Sequence, residues 1–107
     1  LAVCVDDVMD VKWAMLDAME SQVYEWLPWL HGVLDEVPAD ADARRAWLET
    51  TWAPRFREYT EAAMPGIEHC YGGTARNCTY AEAFEICEYG RRPSDDDIRT
   101  LFPFFPE

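Results

Sequence analysis

Residues 5–30 read VDDVMDVKWAMLDAMESQVYEWLPWL. Within this stretch Val5, Val8, Met9, Leu16, Met19, Val23, Leu27 and Leu30 recur at steps of three, four or seven, the period of one helical face. The spacing predicts a long first helix. Asp6, Asp7 and Asp10 fall in its opening turns, where carboxylates interact favourably with the positive end of the helix dipole. Pro28 predicts a kink or break just before it, with a short continuation to about Glu36.

Outward from that stretch, 37–42 read as a turn in which Asp40 or Asp42 caps a second helix. Leu48, Trp52, Phe56, Tyr59 and Ala63 line one face of it with Trp47 alongside, Pro54 bends it near Trp52 or Ala53, and Met64-Pro65-Gly66 ends it. Residues 66–78, with Gly72-Gly73 and two cysteines, read as an irregular loop. Thr79 and Glu82 form a capping-box pattern that predicts a short helix closed by Gly90. Ser94 before Asp95, Asp96 and Asp97 predicts another, to about Phe102. No segment shows the sustained alternation of a strand. The expected fold is therefore all-α: a small disulfide-stabilised bundle of about four helices, two long and kinked at Pro28 and Pro54 and two short. One domain spans 1–107, with 102–107 as an apolar C-terminal tail. Trp47, Trp52, Phe56 and Phe84 are expected in the core.

The four cysteines, none in a C-x-x-C pair, read as two disulfides and so as an oxidising compartment: secreted, or an organellar lumen or intermembrane space. If 80–89 are helical, Cys78 and Cys87 lie about 13 Å apart along the axis, whereas a disulfide needs Cα atoms within about 7 Å. The preferred pairing is Cys4 with Cys87 and Cys70 with Cys78; the alternative is Cys4 with Cys78 and Cys70 with Cys87. Asn77-Cys78-Thr79 fits the acceptor pattern for N-glycosylation. The opening residues carry no basic segment followed by an apolar run, so a targeting segment is expected to have been removed or never to have been part of this stretch.

A net charge of −12, from 21 acidic against nine basic residues, repels phosphate backbones and favours a protein partner with a basic surface. Nucleic acid is excluded on that ground. No apolar run approaches the roughly 20 residues of a membrane span, so any membrane association is expected to be peripheral. Two histidines and two serines offer little for nucleophilic catalysis, and adjacent His69 and Cys70 seldom aim at one point. No metal-ligand spacing, phosphate loop or cofactor motif occurs. The expectation is a protein that is not an enzyme and holds no metal or cofactor.

Fifteen aromatic side chains are more than a domain of this size easily buries, and unburied rings commonly mark contact sites. Trp26, Trp29, Phe102, Phe104 and Phe105 are the candidate partner-binding residues of an accessory subunit docking on a larger assembly, such as the lumenal or intermembrane face of a membrane complex. The alternative is a carrier of a small hydrophobic ligand, held among Met9, Met15, Met19, Trp13 and Trp26.

Cys78, Ala81 and Cys87 resemble the last cysteine helix of insect odorant-binding proteins, a family of small, acidic, secreted helical carriers. The likeness covers about ten residues. The family's pair of cysteines three residues apart is missing, so the chain is assigned to no family.

Overall fold

A computed structural model describes residues 1–106, Arg76 by its backbone alone; Glu107, the last residue of the expected tail, lies outside the described residues. The chain is mostly helical and forms two compact units, one of Leu1–Asp6 with Arg57–Glu107 and one of Asp7–Phe56.

In the Asp7–Phe56 unit the expected long first helix is divided. α1 spans Met9–Asp17, a π-helix spans Ser21–Trp26, and α2 follows at Leu27–Leu30. The break comes at residues 18–19 instead of at Pro28, and no glycine or proline marks it. What stands there is Asp17, an acidic residue at the negative end of α1 with no basic residue in the last turn to offset it. Its carboxylate instead accepts from the Tyr24 hydroxyl, across the break. Pro28 does not interrupt the backbone, for a local reason. In a regular α-helix its ring would collide with the carbonyl four residues back, but the preceding six residues take the wider π geometry, with the Leu27 N–H reaching Gln22 O. α2 then closes in a Schellman arrangement: Gly32, at φ +70°, donates to Trp29 O at 3.1 Å, and Val33 donates to Pro28 O at 2.9 Å.

α3 spans Ala41–Ala62. Asp40 caps it, its side chain accepting from the Ala43 N–H at 2.9 Å. The helix runs on through Pro54, which is exposed, so water can reach the backbone group that proline leaves unpaired. Inside this unit Trp13 is buried and stacks on Phe56 at 5.2 Å, and Leu48 is fully buried. Trp47, Trp52 and Phe56 are half-buried.

The other unit departs most from expectation. Residues 66–78 are no irregular loop: α4 spans Met64–Tyr71, with Pro65 in its first turn where its missing N–H costs nothing, and a 3-10 helix spans Gly72–Asn77. The expected helix over 80–89 is absent. Ala81–Ala83 is instead a strand, β2, paired antiparallel with β1 (Ala2–Cys4) in the register Ala2 with Ala83, Val3 with Glu82 and Cys4 with Ala81. Flanking bonds extend the ladder, Val5 N–H to Tyr80 O and Phe84 N–H to Leu1 O, both 2.8 Å. Thr60, itself buried, accepts the outward-facing Ala81 N–H at 2.8 Å. Ile67 of α4 is fully buried against Ala2 and Ala75, with Met64, Tyr71 and Cys78 around them. Gly66 permits this close approach, since a Cβ there would stand 3.3 Å from the Ala2 Cβ.

α5 spans Asp95–Leu101 with Ser94 as its cap. The Ser94 N–H and hydroxyl donate to the Asp97 carboxylate at 2.8 and 2.9 Å, and Ser94 Oγ accepts the Asp97 N–H at 3.2 Å. Arg91 grips the same carboxylate at 2.8 and 3.1 Å. Arg91 first, then the Ser94 bonds, hold the Asp97 carboxyl down at about 2.

Two predictions follow from this architecture. Ile67→Ala, which opens a cavity where the first strand seats, is expected to lower stability by roughly 2–5 kcal/mol in chemical denaturation. Because the folded Asp97 carboxyl sits below its ordinary value of 3.8, the cap contributes fully above that value and is lost as pH falls towards 2. NMR shifts of residues 95–101 should record this loss between about pH 4 and pH 2, and D97N should show the uncapped shifts at neutral pH.

Candidate functional site

The Leu1–Asp6 and Arg57–Glu107 unit is held by a chain-end clasp. A disulfide joins Cys4, the last residue of β1, to Cys78, three residues before β2. Asp6 sits one turn on, its carboxylate accepting the N–H groups of Thr79 at 2.9 Å and Tyr80 at 2.7 Å. The Tyr71 hydroxyl accepts the Cys4 N–H at 3.1 Å. The preferred pairing, Cys4 with Cys87 and Cys70 with Cys78, does not form: Cys70 and Cys87 are free thiols. The reason is the strand pairing, which sets Cys4 opposite Ala81 and brings it to Cys78. Of the alternative pairing only the Cys4–Cys78 half is present. Cys78 and Asp6 with Cys4 are a potential ligand trio by proximity, but the two sulfurs are bonded to each other and both Asp6 oxygens are occupied.

On the same unit the C-terminal phenylalanines gather as one cluster. Phe102 stacks on Phe105 at 5.5 Å and meets Phe104 at 5.9 Å and Phe84 at 6.1 Å; Phe105 meets Tyr71 edge-on at 5.3 Å. These are ordinary offset and edge-to-face distances for aromatic contacts. The tail is thus docked on its own unit, with Phe102 and Phe105 half-buried and Phe104 left 59% exposed. Phe84, expected in the core, is 44% exposed.

Beside the cluster opens a cleft of about 280 Å³ lined by Phe84, Ile86, Cys87, Tyr89, Ile98 and Phe102. Its lining is chiefly apolar. Tyr89 is 88% exposed, and Cys87 is an exposed thiol within the lining. Arg91, which Asp97 engages, also lines the cleft, together with one carboxylate, the exposed Glu85. A second hollow, of about 50 Å³, lies between His69, Cys70, Asp95, Ile98, Arg99 and Phe105 and has room for a few waters. Residues 80–89 were expected to be helical, so Ile86 and Tyr89 did not stand out; the apolar alternation Phe84-Glu85-Ile86 was the available signal.

Trp26 and Trp29 lie in the Asp7–Phe56 unit, 51% and 65% exposed, with Leu30 exposed beside them. Phe102, Phe104 and Phe105 belong to the other unit. The proposed carrier cavity is not assembled: Met9 and Trp13 are buried, while Met15, Met19 and Trp26 face solvent. Three cations of the Asp7–Phe56 unit lie over aromatic rings, Lys12 over Phe56 at 4.8 Å, Arg44 over Tyr24 at 5.1 Å and Arg55 over Trp52 at 5.2 Å, while Arg45 pairs with Glu49 at 2.6 Å. Arg55 also donates to His31 Nε2 at 3.0 Å, which places the ring proton of a neutral His31 on Nδ1. Burial, then the bond to Asp17, pushes the Tyr24 hydroxyl up, so it stays protonated as a donor.

Comparison with known protein families, with curated proteins and with solved structures finds no match.

Non-reduced material should carry two alkylatable thiols, with Cys87 reacting faster than Cys70 because it is the more exposed. Peptide mapping that recovers a Cys4–Cys78 linked pair checks both points. C4S/C78S, which opens a loop closed over a separation of 74 residues, should lower stability by roughly 4 kcal/mol on loop-closure grounds.

Proposed function

We propose that this chain is a non-catalytic accessory subunit that docks on a larger protein assembly, its cleft beside Phe84 and Phe102 receiving an apolar side chain from a basic segment of the partner. The chiefly apolar cleft, with Glu85 in its lining on a chain of net charge −12, is the observation that carries the reading. An apolar anchor gains from leaving water, at roughly 1.5–3 kcal/mol for a fully buried Leu or Phe, while basic flanks are drawn in by the chain's net charge of −12. Trp26 and Trp29, on the other unit, supply a further contact of the type common at hot spots. The same acidity disfavours nucleic acid.

An oxidising setting, secreted or on the lumenal or intermembrane face of a membrane complex, fits the Cys4–Cys78 bond. Among the described residues no helix is long and apolar enough to cross a membrane, which suits a peripheral position. The alternative, a carrier of a small hydrophobic ligand, is favoured only by the volume of the cleft, near the lower end of the range for ligand pockets.

Cys87 lies in the cleft lining and reports its occupancy. A synthetic peptide with one Leu between Lys and Arg residues should slow Cys87 alkylation several-fold at low salt, and less at 0.5 M salt where charge attraction is screened. A peptide with Asp and Glu in place of the basic residues should give no protection. Equal protection by both peptides, or none by either, overturns the reading; protection by a neutral fatty alcohol alone establishes the carrier.

A further inference from the structure

Asn77 is the one asparagine in the chain, and Thr79 stands two positions after it. With two serines and six threonines among 107 residues, a lone asparagine meets a hydroxyl at that position by chance in roughly one chain in thirteen. The structure adds what the triplet cannot. Asn77 ends the 3-10 helix Gly72–Asn77, and Cys78 turns extended, at φ −85° and ψ 120°. Cys78 is bonded to Cys4, and Asn77 and Thr79 on either side of it are both exposed. Neither the Asn77 carboxamide nor the Thr79 hydroxyl takes a partner among the described residues. The corner is fixed from beneath, by the disulfide and by the Thr79 N–H donating to Asp6 at 2.9 Å, so a large substituent on Asn77 displaces no packed group.

We propose that Asn77 is an N-glycosylation site and that the chain therefore passes through a compartment holding lipid-diphosphate-linked oligosaccharide. In the transfer the Asn77 carboxamide nitrogen forms a bond to the anomeric carbon, the bond from that carbon to the diphosphate oxygen breaks, and the lipid diphosphate leaves with the electron pair. The amide gives up one proton, and nothing is oxidised or reduced. The attached sugar is bulky and hydrophilic, and belongs at a surface position such as this corner. The disulfide is consistent with an oxidising compartment of this kind, independently of the triplet. The proposal stands apart from the docking reading, because it draws on no residue of the cleft.

The full chain, sent through the secretory pathway of a eukaryotic cell behind a cleavable leader, tests it. The expected result is a slower-migrating species that peptide N-glycosidase collapses to the mobility of N77Q, with Asn77 converted to Asp in the recovered peptide. T79A should lose the slow species as N77Q does, and T79S should keep it. Non-reducing peptide maps of each variant should still show Cys4 linked to Cys78, which separates loss of the acceptor from loss of the fold. A secreted chain with that disulfide formed and Asn77 unmodified overturns the proposal.

Discussion

The Leu1–Asp6 and Arg57–Glu107 unit exists because the first six residues are fastened to a segment more than seventy positions away. Three different forces act on the same few residues: a covalent bond at Cys4, a short ladder along Ala2–Cys4, and two charge-assisted hydrogen bonds to Asp6. A three-residue ladder alone is marginal in water. The disulfide removes much of the entropy that would otherwise oppose so distant a pairing, and the carboxylate satisfies two N–H groups where the ladder ends. Ile67 and Gly66 of α4 then have a strand to pack against, which makes α4 a buried element instead of a solvated turn.

The Asp7–Phe56 unit solves a different problem, that of a helical sequence with a proline and an ill-placed acid. The π-helix before Pro28 and the Tyr24–Asp17 bond across the break keep an apolar face buried without a continuous cylinder. Cations stacked on Phe56, Tyr24 and Trp52 let rings be covered by the few basic residues the chain has, while the exposed surplus of carboxylates remains unneutralised. Three of this unit's bases thus cover rings, while Arg45 pairs with Glu49.

What the residues revealed in advance follows the range over which the signals act. Local chemistry was legible: Asp40 as a cap, Ser94 with its acidic first turn, the helical stripe through Leu48, Trp52 and Phe56, and a C-terminal tail with no helix in it. Long-range pairing was not. Three residues of β1 cannot display alternation, and their partner 81–83 carries a capping-box pattern that suits a helix until the strand claims it. The disulfide pairing fell with that assignment, since distances along a helix that does not form decide nothing. Phe102, Phe104 and Phe105 were legible as a unit, but the cleft beside them was not, because it is made by residues 84–94 whose backbone follows no period.

Residues 84–94 also carry the functional argument. Between β2 and α5 the chain has no ladder and no helix, and it leaves Phe84, Ile86 and Tyr89 facing water. Segments of this kind have few buried contacts of their own and are held by their ends. Here the ends are well held, by the strand bonds at Phe84 and by the Arg91–Asp97–Ser94 network. A loop fixed at both ends with apolar side chains turned outward remains costly in isolation, since each exposed ring forgoes the gain of burial. Its retention beside a cluster of phenylalanines is accounted for if burial is completed by another molecule, and the free Cys87 thiol in its middle stands where that molecule would make contact.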